Sequence, residues 1–110
     1  MYLHLKMETM RIGGWGFAWD KAKAARNLKA HGVSFEEAAS VFADPDSLSF
    51  YDPDHSKDED RYLLFGISSR LRVLVVCHCY RQDDSVIRII SARRADPSER
   101  KTYNARRRGA

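Results

Sequence analysis

The chain is poor in cysteine, with Cys77 and Cys79 its only two. They stand two residues apart inside an apolar run, where strand geometry sends both side chains to one face without making them a disulfide pair. A secreted disulfide scaffold has no support. No apolar run approaches the roughly 20 residues that a bilayer span needs, and the opening stretch MYLHLKMETMRIGG lacks the long apolar segment of a signal peptide. A cytoplasmic location without membrane contact is expected. Also missing are a P-loop, a GxGxxG turn, an HExxH helix and a G-x-S-x-G elbow. Nucleotide-driven, zinc-protease and serine-hydrolase chemistries therefore have no footing.

What is present suits one globular domain. The chain has 110 residues, 44% hydrophobic, 31% charged and 11% aromatic, with a mean hydropathy of -0.53. That is too apolar for disorder and too short for a second core. Residues 1–12 are unlike the rest and are read as a flexible N-terminal extension in which Met7 or Met10 offers an alternative start. Residues 13–110 are read as the single domain.

The net charge of +4 hides an asymmetry. Asp44, Asp46, Asp52, Asp54, Asp58, Glu59 and Asp60 face only Lys57 in one block. Arg88, Arg93, Arg94, Arg100, Lys101, Arg106, Arg107 and Arg108 face only Asp96 and Glu99 in another. Such runs are either solvated faces or, for the arginines, the footprint of a phosphate-binding surface.

Periodicity predicts a strand at Trp15–Trp19 that buries Trp15, Phe17 and Trp19, then a helix from the N-cap Asp20 to His31, stopped by Gly32. Ser34 with Glu37 makes a capping-box pattern that opens a second helix to about Phe42. After an extended piece at Leu48–Tyr51 comes the acidic DPDHSKDED stretch, a candidate mobile flap. Strands are expected at Arg61–Ser68, Arg72–Tyr80 and Ser85–Ala92, with turns at Ser69–Leu71 and Gln82–Asp84. The short connections imply antiparallel neighbours, and RVLVVCHCY reads as the central strand. Asp96-Pro97-Ser98-Glu99 starts a last helix. The fold class is thus α+β, a small antiparallel sheet with two N-terminal helices and one C-terminal helix.

Several side chains are candidates for chemistry. Lys23, Asn27 and His31 fall along one edge of the first helix, either to face phosphate or as an ordinary solvated edge, with Ala22, Ala25 and Leu28 on a drier one. His78 is either a packed histidine or a general base on the sheet. Cys77-His78-Cys79 suggests zinc but lacks further ligands at recognised spacings, so no metal or other cofactor is expected. Arg61 either partners the acidic stretch or, with Arg88, Arg93 and Arg94, offers a planar fork of donors to phosphate. A basic surface with scattered acid–base groups suits RNA cleavage without a metal.

The pattern F-x-W-D-x-x-K-x-x-x-N-x-x-x-H-G-V-S-F-E-E-A from Phe17 to Ala38, followed by RIISARRA at Arg88–Ala95 and S-E-R-K-x-Y through Tyr103, resembles the BrnT family. The resemblance covers about Trp15 to Tyr103. It implies a RelE-like fold and a ribonuclease toxin of a type II toxin–antitoxin system that halts translation. The implied partner is a BrnA-like antitoxin that carries the DNA-binding domain, so that DNA is met only indirectly, with a homodimer inside the complex as one arrangement. Carried onto this chain, the resemblance nominates Lys23, Arg61, Arg93 and Glu99 as catalytic, with Glu99 a general-base candidate. Arg88, Arg94, Asn27 and Arg100 are nominated as RNA-binding. The alternative is a non-catalytic module that binds RNA or the antitoxin.

Overall fold

The computed structural model describes residues 6–81 and 84–109. The chain opens with a hairpin of β1 (Met7–Ile12) and β2 (Trp15–Asp20). Gly13-Gly14 joins them, and Gly13 takes a φ of 58° that favours glycine. Asp20 then accepts from the amides of Ala22 and Lys23 at 2.8 and 3.1 Å, which starts α1 (Lys21–His31). Those amides hold the Asp20 carboxyl below its ordinary range. Gly32, at φ 68°, ends the helix.

Ser34 accepts from the Glu37 amide at 3.0 Å and opens α2 (Phe35–Ser40), which tightens into a 3-10 turn at Val41–Ala43. Only half of the capping box forms. The Glu37 carboxylate turns away to Arg72 and to the Ser68 hydroxyl, the latter at 2.6 Å. There follow β3 (Leu48–Tyr51), a 3-10 turn at Pro53–His55, β4 (Tyr62–Ile67), β5 (Val73–Arg81), β6 (Val86–Arg94) and α3 (Pro97–Gly109). Of the expected turn at Gln82–Asp84, Gln82 and Asp83 lie outside the described residues.

The domain is α+β, but its sheet is larger than expected and mixed. Six strands run in the order β1-β2-β6-β5-β4-β3. Neighbouring strands are antiparallel except β2 and β6, which are parallel. The rule that short connections give antiparallel neighbours holds along β3–β6. It does not apply to β2 and β6, which are remote in sequence and meet because the meander returns to the hairpin. The two helices therefore follow a hairpin instead of a lone strand. Of the extension expected to be flexible, residues 1–5 lie outside the described residues. Met7–Ile12 form the edge strand, where Met10 and Ile12 pack onto the core.

One sheet face carries Phe17, Trp19, Leu64, Val76, Ile87 and Ile89 against Val33, Phe35, Ala38, Ala39 and Val41 of the helical layer. Each Val, Leu, Ile or Phe among them contributes roughly 1.5–3 kcal/mol of burial. Trp15, expected inside, is 46% exposed at the hairpin turn. The opposite face has a smaller cluster of Phe65, Val75 and Ala95 flanked by Leu48, Leu63 and Val73. Beyond that cluster this face opens into a cleft, with Cys77 and Cys79 of β5 buried on it. Helix α3 is anchored by the fully buried Tyr103, whose hydroxyl donates to Asp44. The same carboxylate accepts from the Ile67 amide at 2.8 Å.

Candidate active site

A single extra residue in β6 sets the site. The partners of β5 run from Val86 opposite Arg81 to Ile89 opposite His78, then resume at Ser91 opposite Cys77. Ile90 is thus a bulge, which reverses the alternation beyond it. Ile87, Ile89 and Ala92 face the helical layer. Ser91 and Arg93 face the open side, across from Cys77 and Val75. Strict alternation would have put Arg93 in the core beside Ile87 and Ile89.

On the open side, Ser91 and Arg93 of β6 meet Cys77 of β5, Leu63 of β4 and Arg61, which immediately precedes β4. Asp52, Asp54 and His55 close the rim of a cleft of about 400 Å³. The Arg61 backbone is fixed at both ends, its amide donating to the Ser56 hydroxyl at 2.9 Å and its carbonyl accepting from the Asp52 amide at 2.9 Å. One terminal nitrogen lies 3.7 Å from Glu59. The Nε is buried and has no hydrogen-bond partner among the described residues. Such a donor costs about 1–3 kcal/mol until an acceptor meets it, and a phosphate oxygen is the acceptor that a guanidinium fork fits best.

Arg93 is already engaged. Its two terminal nitrogens donate to the two carboxylate oxygens of Glu99 at 2.7 and 2.8 Å. The hydrogen bonds from Arg93 hold the Glu99 carboxyl below its ordinary range, against a smaller opposing push from burial. A carboxylate so held is a weak proton acceptor, which counts against Glu99 as the base.

His55 completes the rim. Its Nδ1 donates to Asp52 Oδ2 at 2.8 Å, with the imidazole 67% exposed. The sequence suggests only an acidic flap here and assigns His55 no role. The signal was D-P-x-H: proline sets the first turn of a 3-10 segment, whose three-residue period stacks positions i and i+3 on one side.

The other nominated residues disperse. Lys23 is half-buried in a second depression with Arg26, Ala30 and His31 that touches the cleft at Ile90. Arg88 lies in a third with Arg81 and Met7. Arg94 is exposed, and Arg100 donates to the Ala95 carbonyl at 2.8 Å.

Asn27 lines that second depression too, but its amide is engaged with the backbone. It is the buried residue of α1, while Leu28 of the supposed dry edge is 52% exposed. Its Nδ2 donates to the carbonyls of Val33 and Ala92 at 3.0 and 2.8 Å, and its Oδ1 accepts from the Ala92 amide at 3.1 Å. These bonds satisfy the edge of β6 beyond the three residues that pair with β2.

His78 is the packed alternative. It is fully buried on the helical side with its ring 4.8 Å from that of Phe42. Desolvation lowers its pKa, and Nδ1 donates to the Val76 carbonyl at 3.1 Å. Cys77 lies on the opposite face, so the two do not form one ligand set. Burial pushes the Cys77 thiol up, away from the nucleophilic thiolate.

Comparison with known proteins bears on this arrangement. Residues 19–99 match the family described as BrnT, the ribonuclease toxin of type II toxin–antitoxin systems. No curated protein matches the chain. The matched stretch holds both cleft arginines, the Asp52–His55 pair and Glu99. The chain belongs to the BrnT family of ribonuclease toxins.

Proposed function

We propose that this chain is the toxin of a type II pair and a metal-independent endoribonuclease that cuts single-stranded messenger RNA, halting translation and growth. Family membership supports the ribonuclease class. The observation that carries the site is the buried, unpartnered Nε of Arg61, held by a fixed backbone in the cleft shared with Arg93. An RNA phosphate seated there meets positive charge where the transition state gains negative charge. The neighbouring 2′-hydroxyl supplies the nucleophile, so the protein needs to position, move protons and stabilise charge. Lys23 and Arg88, in the flanking depressions, extend the basic track along a bound strand.

In the same reading the domain is RelE-like, and a BrnA-like antitoxin neutralises it by covering the cleft with acidic side chains. DNA is reached only through that antitoxin, and a toxin homodimer forms inside the complex. The purified, antitoxin-free chain tests the enzymatic part when incubated with single-stranded RNA in the presence of a chelator. New RNA ends that vanish in Arg61→Ala support it. Salt-sensitive binding without new ends would instead favour the non-catalytic module.

A further inference from the structure

We infer that His55 is the general base of this cleft and that Asp52 is its positioning partner, an inference that rests on the ribonuclease reading. Three other proton acceptors are compromised. Glu99 is held by both terminal nitrogens of Arg93. His78 is buried behind the sheet. Cys77 lies in the cleft floor, 9% exposed. His55, in contrast, stands on the rim, 67% exposed, beside Arg61.

The hydrogen bond to Asp52 fixes the tautomer. With Nδ1 carrying the proton toward the carboxylate, Nε2 holds the free lone pair, and no described residue occupies it. Imidazole is the side chain best matched to proton transfer near neutral pH, and a carboxylate behind it stabilises the imidazolium that forms.

The step balances as follows. Nε2 takes the proton of the 2′-hydroxyl while the 2′-oxygen forms a bond to phosphorus. The bond from phosphorus to the 5′-oxygen breaks, its electron pair leaves with that oxygen, and water supplies the proton. The products are a 2′,3′-cyclic phosphate and a 5′-hydroxyl. The imidazolium then returns its proton to the hydroxide left behind. Arg61 faces the phosphate throughout.

The test is the pH–rate profile of the full chain on a single-stranded RNA oligonucleotide and on the same oligonucleotide with sulfur bridging at the 5′ position. The titratable and charged groups that line the cleft with His55 are Asp52 and Asp54 on its own rim and Arg61, Cys77 and Arg93 beyond it. The parent is expected to lose rate on the acid side. His55→Gln is expected to melt like the parent, to cleave about 10²- to 10⁴-fold more slowly and to lose that acid limb. Asp52→Asn is expected to cleave more slowly than the parent but to keep the limb, as befits a positioning residue. His55→Gln cleaving as fast as the parent would overturn the inference while leaving the ribonuclease reading intact. Rescue of His55→Gln by the sulfur leaving group would make His55 an acid and overturn its role as base. A parent chain that leaves RNA intact would overturn both readings.

Discussion

Arg93 grips Glu99 through two parallel hydrogen bonds of 2.7 and 2.8 Å. Glu99 also accepts from the Asp96 amide at 2.8 Å, and Asp96 accepts from the Glu99 amide at 2.8 Å. The end of β6 is thereby tied to the first turn of α3 through one capping box. Glu99→Gln releases the Arg93 charge toward the cleft. It is expected to keep RNA cleavage and to bind single-stranded RNA more tightly, with a steeper salt dependence. A salt series of binding measurements checks this, and loss of cleavage with binding intact would return the base role to Glu99.

Asn27 stands in for a strand at the edge of β6. Asn27→Ala would strip the buried Ala92 amide and carbonyl and the Val33 carbonyl of partners. The expected loss is about 2 kcal/mol of stability, seen as a melting temperature several degrees lower. A variant as stable as the parent but unable to bind RNA would show that the amide contacts the ligand after all.

The Glu37 carboxyl is pushed up by burial, but hydrogen bonds from Arg72 and Ser68, with the Arg72 charge, outweigh that and leave it below its ordinary value. A lowered folded pKa means that the network's stabilisation is present above the ordinary glutamate range and is lost as pH falls through the folded value. Denaturant titrations should show the parent losing more stability on acidification than Glu37→Gln. Arg72→Ala, which deprives the Glu37 side chain, 4% exposed in the parent, of its cation, should cost about 3–5 kcal/mol at neutral pH.

Tyr103 joins α3 to the turn after α2. Burial, and then the Asp44 carboxylate that it donates to, push its pKa up to about 12 from the usual 10.0. A raised folded value means that stability is present below the ordinary tyrosine pKa and drains away as pH rises toward the folded one. Tyr103→Phe should remove about 1.5–3 kcal/mol at neutral pH and abolish this alkaline loss, read by unfolding between neutral pH and pH about 11.

Much of the fold was legible because local chemistry dictated it. Asp20, Gly32 and Ser34 mark helix ends through hydrogen bonds and backbone angles that those residues alone supply. The apolar run around Cys77 proved to be an interior strand buried on both faces. The first strand was missed although Gly13-Gly14 between apolar residues signals a hairpin. The parallel contact of β2 with β6 is a long-range outcome that no local pattern encodes.

Site residues divided along the same line. Arg61 and Arg93 stood out as candidates by residue type, but their sharing one cleft depends on the Ile90 bulge, which leaves no trace in RIISARRA. Asn27 read as a polar edge because its sequence spacing matched Lys23 and His31. Its burial follows from where β2 ends, and that is set by tertiary structure.

The most direct test is induction of the chain alone in a bacterial host, with 5′-end mapping of cellular RNA beside an Arg61→Ala control whose folding is verified by thermal melting. New 5′-hydroxyl ends in messenger RNA together with growth arrest, both lost in the folded control, are the predicted result. Unchanged RNA under the parent chain, or identical ends from Arg61→Ala, would contradict a ribonuclease centre built on this cleft.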